Sequence, residues 1–122
     1  MQGTRGIVLF AHGSSDPRWR APTEAVAAEI KRRNPEVRVL CAYLERTEPD
    51  LPTAVNQLAA AGARRISVLP IFLGSGKHVR DDLPRQLTAL QAAHPQLQLS
   101  LLPMVGENPQ LIALLAQIAL EN

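Results

Sequence analysis

Four short apolar runs, each followed by a longer segment with helical spacing, constrain this chain more than any other feature of its sequence. The runs cover residues 6–11, 37–44, 66–72 and 97–102. Their length and branched side chains predict β-strands. The first and third are nearly continuous in apolar character, as parallel strands covered on both faces are. The fourth alternates apolar with polar residues and reads as an edge strand. Between the runs, Val26 and Ile30 lie one helical turn apart, while Leu51, Val55 and Leu58 form a stripe that Leu83, Leu87 and Leu90 repeat. Leu111, Leu114, Leu115 and Ile118 line a last helix, and all these stripes are expected in the core rather than in a partner-binding groove. Asp50 with Pro52, and Asn108 with Pro109, have the form of helix starts; Gly62, Pro35 and Pro95 follow helix ends. Four consecutive βα units specify an α/β fold with a mostly parallel four-stranded sheet and helices on both faces. The strand order is not written in the sequence; the commonest small solution is the flavodoxin-like 2-1-3-4, with its topological switch between the first and third strands.

Composition narrows the class further. The 122 residues are one domain's worth of chain, and residues 1–122 read as a single α/β domain. A net charge of +2 and an aromatic fraction of 3% argue against a nucleic-acid partner. No apolar run approaches the ~20 residues that cross a bilayer, and the chain passes from Met1 straight into the first strand-like run, so no membrane partner is expected. Cys41 is the only cysteine, so there is no stapled secreted scaffold, and the default compartment is the cytoplasm.

In sheets of this kind ligands bind beyond the carboxyl ends of the strands, near the switch point. His12 directly follows the first run, and His78 follows the third across a loop in which Gly74 and Gly76 let the backbone turn. With strands one and three adjacent, both imidazoles belong to one rim. That suits a metal-ligand pair and equally an acid–base pair, although a lone histidine at a strand end is often only a loop hydrogen-bonder. Glu45, at the end of the second run, is placed to add an oxygen. Arg18, Arg20, Arg46, Lys77 and Arg80 lie on or beside the same loops, as a solvated rim or as a field for an anionic ligand. His94 reads as a surface residue at a helix C-terminus, and Cys41 as a buried small hydrophobe. Trp19 is expected to anchor the first helix on the sheet, with a ligand-pocket wall as the alternative. Gly74-Ser75-Gly76-Lys77 fails the phosphate-loop spacing, because His78 stands where a hydroxyl residue belongs, and Val79 breaks the dinucleotide fingerprint.

Several of these segments together resemble a known family. Ala11-His12-Gly13-Ser14 followed by Asp16-Pro17-Arg18, Ala42-Tyr43-Leu44-Glu45, and Pro70-Ile71-Phe72-Leu73-Gly74-Ser75-Gly76-Lys77-His78 running on to Asp82-Leu83-Pro84 are similar to the sirohydrochlorin chelatases. That family comprises the small cobaltochelatases of cobalamin synthesis and their ferrochelatase relatives of sirohaem synthesis. The resemblance extends from Gly6 to the last helix. It implies a chelatase-like half and an ATP-independent lyase that inserts a divalent metal, cobalt or iron, into a tetrapyrrole. The metal is then a substrate, and no organic cofactor is expected. It implies that His12 and His78 are catalytic and hold the incoming metal while helping to remove pyrrole protons, with Glu45 at the family's acidic position. Arg46, Leu73, Gly74, Ser75, Gly76, Lys77 and His78 would meet the macrocycle. A chain of this length resembles the short form, which works as a homodimer with the site between protomers. Open coordination at two imidazoles suits transfer of a first-row ion, and basic rim residues suit a substrate rich in carboxylates. A non-catalytic metal or tetrapyrrole carrier, and a nucleotide binder using the glycine loop, are the competing classes.

Overall fold

The computed structural model describes residues 4–121, so what the sequence suggests for Met1–Gly3 lies outside them. Strand β1 (Thr4–Ala11) leads through a 3-10 turn (Pro17–Trp19) into helix α1 (Ala21–Arg33). Then follow β2 (Arg38–Tyr43), α2 (Leu51–Ala60), β3 (Ala63–Pro70), α3 (Lys77–Ala93), β4 (Gln98–Leu101), a second 3-10 turn (Val105–Glu107) and α4 (Pro109–Leu120). The strands form one parallel sheet in the order β2-β1-β3-β4, the commonest arrangement for a small sheet of this kind. Ladder pairs run from Gly6↔Arg38 to Ala11↔Tyr43 on one side of β1, and from Arg5↔Arg65 to Phe10↔Pro70 on the other. Strand β3 begins three residues before its apolar run, because Ala63-Arg64-Arg65 is in the sheet without looking apolar. It stops at Pro70, which has no N–H to donate to a ladder.

Capping follows the sequence closely. The Asp50 Oδ1 accepts the Thr53 amide at 2.9 Å, and the Asn108 Oδ1 accepts the Gln110 amide at 2.8 Å, each ahead of a proline in the first turn. Gly62 ends α2 with φ of +100°, which an L-residue adopts only at a cost.

The core is lopsided. On one face Val8, Phe10, Ala42, Ile66 and Val68 pack against Leu51, Val55 and Leu58 of α2 and Leu83, Leu87 and Leu90 of α3. On the other, Leu9, Val37 and Val39 meet mainly Ala27 and Ile30 of α1. Part of the expected core is not core. Val26 is 42% exposed. The α4 stripe is the larger correction: that helix has no buried residue, and Ile112, Leu114, Leu115 and Ile118 are all exposed. It stands off the sheet over an apolar groove of about 650 Å³ bounded by Leu69, Leu102, Met104, Val105, Leu111 and Leu114. Periodicity reports which side of a helix is apolar, but not whether the same chain supplies its cover. Among the described residues, no helix is long and apolar enough to cross a membrane.

Candidate functional site

The exits of β1, β2 and β3 are fastened to one another at the carboxyl rim. Ile71 N–H donates to the Phe10 carbonyl at 2.7 Å, Leu44 N–H to the Ala11 carbonyl at 2.9 Å, and Glu45 N–H to the His12 carbonyl at 3.1 Å. His12 therefore leaves the central strand with its backbone held and its side chain exposed. Gly13 follows with φ of +95°, and a Cβ there would lie 1.9 Å from the Glu45 carbonyl oxygen, so only glycine lets the two loops close this tightly. The Thr47 hydroxyl donates to the Ser14 carbonyl at 2.9 Å and ties the same loops a second time.

Beyond β3, Phe72 packs edge-on against Phe10, with ring centroids 6.0 Å apart, and roots the glycine loop on the core. Gly106, far along the chain, donates its N–H to the Phe72 carbonyl at 3.0 Å. A Cβ on Gly106 would sit 1.8 Å from the Leu73 oxygen, so its bare backbone fixes where the loop runs. Leu73 is 69% exposed above this contact, an apolar side chain presented at the rim. Ser75 Oγ is buried without a hydrogen-bond partner among the described groups. Gly76 precedes α3 and offers no side-chain cap, leaving first-turn amides beside Lys77 and His78 for an anionic group. His78 is exposed in that first turn. Pro84 lies inside α3 and cannot donate to the Arg80 carbonyl, which loosens the turns that carry His78.

His12, on the loop after β1, and His78, in the first turn of the helix that follows β3, thus lie beyond the carboxyl ends of adjacent strands. Glu45 is on the neighbouring loop, where its carboxylate is exposed and paired with Arg46 at 3.2 Å. Among the described residues, no three His, Cys, Asp or Glu side chains converge so as to hold an ion together. Arg46 has φ of +66°, an uncommon conformation for a residue with a side chain, at the tip of the β2 loop. Beside it a groove of about 890 Å³ runs from Arg20 past Tyr43 to Glu45 and Thr47. Burial, with the neighbouring Cys41 and Glu24, pushes the Tyr43 phenol up to about 12, so it stays neutral throughout the physiological range.

The rim cations are not all free. Arg18 makes a forked pair with Asp16, closest at 2.7 Å, and this together with the Arg18 amide lowers the Asp16 carboxyl below the usual carboxylate range. Lys77 and Arg80 have no such partner among the described residues. Trp19 does not anchor α1: it is 71% exposed on the 3-10 turn, because the turn holds it away from the sheet. His94 lies at the opposite end of α3, where its Nε2 is 2.7 Å from Asn56 Oδ1. Cys41 is only half-buried in β2, and desolvation pushes its thiol up. Sequence reasoning missed Thr47 and Gly106, whose contacts come from loops distant in the chain.

The family model CbiX matches residues 6–122. Two sirohydrochlorin cobaltochelatases are similar. That of Methanosarcina barkeri is 34% identical over 83 residues, covering 68% of this chain and 64% of that protein. That of Methanocaldococcus jannaschii is 36% identical over 88 residues, covering 72% and 62%. The chain spans less than two thirds of the length of these curated relatives. Among solved structures, the CbiX protein from Marinobacter aquaeolei VT8 superposes with a TM-score of 0.80 at 34% identity, covering 96% of this chain and 95% of that one. The sirohydrochlorin chelatase SirB from Bacillus subtilis subspecies spizizenii, solved with cobalt, shares the fold with a TM-score of 0.77 at 20% identity, covering 96% of this chain and 49% of that one.

Proposed function

The chain belongs to the CbiX family, and from that premise we propose that it is a cytoplasmic, ATP-independent lyase inserting a divalent metal, cobalt(II) or iron(II), into sirohydrochlorin. The observation that carries this reading is the adjacency of β1 and β3, whose following loops bring His12 and His78 to the same open rim. In the proposed reaction the two imidazoles hold the incoming ion and leave coordination positions for pyrrole nitrogens. The bonds from the ion to the imidazoles break as the four ring nitrogens take it; the two pyrrole N–H bonds break with them, and each imidazole nitrogen freed by the departing ion accepts one proton and passes it to water. Weak, incomplete ligation favours release of the ion into the macrocycle. Leu73 offers an apolar contact to the ring, Gly74, Ser75 and Gly76 bring the backbone close to it, and the α3 amides, Lys77 and Arg46 suit its carboxylates. Glu45 is the candidate oxygen donor from the β2 loop.

The proposed working unit is a homodimer of this single domain, with a second copy closing the cleft. The exposed apolar side of α4 supports it, since a helix that is apolar on most sides needs cover.

Purified protein mixed with sirohydrochlorin and each metal ion, followed by tetrapyrrole absorbance, tests the reading. Insertion is expected to be accelerated with cobalt or iron, and His12→Ala and His78→Ala to slow it by about 100-fold or more. Both side chains are exposed, so melting temperatures should hardly move. His94→Ala should keep the wild-type rate. No acceleration with any metal would defeat the enzyme reading, and tetrapyrrole binding without turnover would leave a carrier.

A further inference from the structure

The strongest unassigned feature lies at the end of the sheet opposite the two histidines. A groove of about 940 Å³ crosses the amino ends of the strands and turns up the outer side of β2. Arg5 of β1, Arg38 of β2, Arg65 of β3 and Lys31 of α1 all line it, against one carboxylate, Glu36. None of these four cations has an ion-pair partner among the described residues, whereas Arg32 and Arg33 on the same turn as Lys31 both bind Glu29. Arg5 and Arg65 are ladder partners, so two like charges stand side by side on adjacent strands, an arrangement that disfavours the unliganded state.

The same groove contains an open strand edge. β2 is the last strand of the sheet and pairs only with β1. At its upper end Leu44 N–H bonds to Ala11 of β1, while Tyr43 N–H points the other way and bonds to Pro49. Strand alternation therefore turns the Val39 and Cys41 amides outward, and they have no partner among the described residues. Strands left open in this way accept another strand.

We propose that this groove is a docking site for an extended acidic segment of a partner protein, which adds to the outer edge of β2 while its carboxylates meet Arg38, Lys31, Arg5 and Arg65. The charge selects the occupant: a second copy of this chain would bring its own Arg38 and Lys31 against the same cations. Guanidinium groups bind carboxylates in forked pairs, and the β2 amides supply what a small polyanion has no use for. The site is independent of the proposed insertion chemistry, being at the other end of the sheet.

A fluorescent synthetic peptide alternating glutamate with valine, titrated into the whole protein and read by anisotropy, provides the test. Saturable binding is expected, weakened about tenfold or more by Arg38→Glu and by Lys31→Glu, and weakened by salt. The same peptide with alternate amides N-methylated should fail to bind. Both variants alter exposed side chains and should keep the wild-type insertion rate. Equal binding of the methylated peptide, equal binding of a single-stranded DNA of matching charge, or indifference to both charge reversals would each overturn the proposal, as would no binding at low salt.

Discussion

Gly106 decides the course of the loop that carries most of the candidate substrate contacts, although it lies on a different turn of the chain. Any side chain there meets the Leu73 carbonyl oxygen, 1.8 Å from where its Cβ would be. Gly106→Ala must therefore push Leu73 and its neighbours by an appreciable fraction of an ångström or more. A displacement of that order at a reacting site costs up to about 100-fold in rate, while overpacking costs roughly 1–3 kcal/mol of stability. Insertion is expected to fall by about tenfold or more in this variant, with a lowered melting temperature; unchanged initial rates would mean that the loop position does not matter. At this scale the places of His12, directly after β1, and His78, beyond the glycine loop that follows β3, were legible from the strand runs and the glycines beside them. Gly106 and Thr47 were not. The hydroxyl of Thr47 reaches a carbonyl 33 positions earlier in the chain, and no local pattern encodes that contact.

Among the elements, α2 shows how closely local chemistry and structure can agree. Its stripe of Leu51, Val55 and Leu58 is buried, and its start is set by Asp50 accepting the Thr53 amide. The Thr53 hydroxyl, and with it the Thr53 amide, holds the Asp50 carboxyl below its ordinary range. A carboxyl whose folded-state pKa is depressed stabilises the fold above its unfolded value, and the contribution is lost as pH falls through the folded value. Asp50→Ala should thus cost about 1 kcal/mol at neutral pH, and the difference from wild type should shrink at an acid pH below the depressed folded-state value. Urea melts at the two pH values check it; a cost that persists in acid would assign the effect to something other than the ionised cap. The last helix marks where this agreement ends. Its capping by Asn108 was readable, but its apolar stripe was assigned to the core of its own chain, because a pattern of leucines is the same whichever molecule covers it.

The whole molecule carries that uncovered helix as its largest departure from a self-sufficient domain. Leu115→Glu and Ile118→Glu alter residues 43% and 52% exposed, so each should leave the protomer folded. Under the homodimer proposal each should shift sedimentation from dimer to monomer and reduce insertion with it. A wild type that sediments as an active monomer at assay concentration would remove the dimer. Four βα units and the rule of right-handed crossovers made the parallel sheet legible but not its strand order, for which 2-1-3-4 is only the commonest small arrangement. Its central strand has a further consequence, for synthesis on the ribosome. β1 is made first, yet one of its two neighbours is β3, which ends at Pro70. Until that residue has emerged, the nascent chain holds its most buried strand with a whole flank unpaired, so contacts distant in sequence must wait for translation. An interrupted product ending before that point carries His12 but no rim for it to share, together with a sticky edge that quality control must meet.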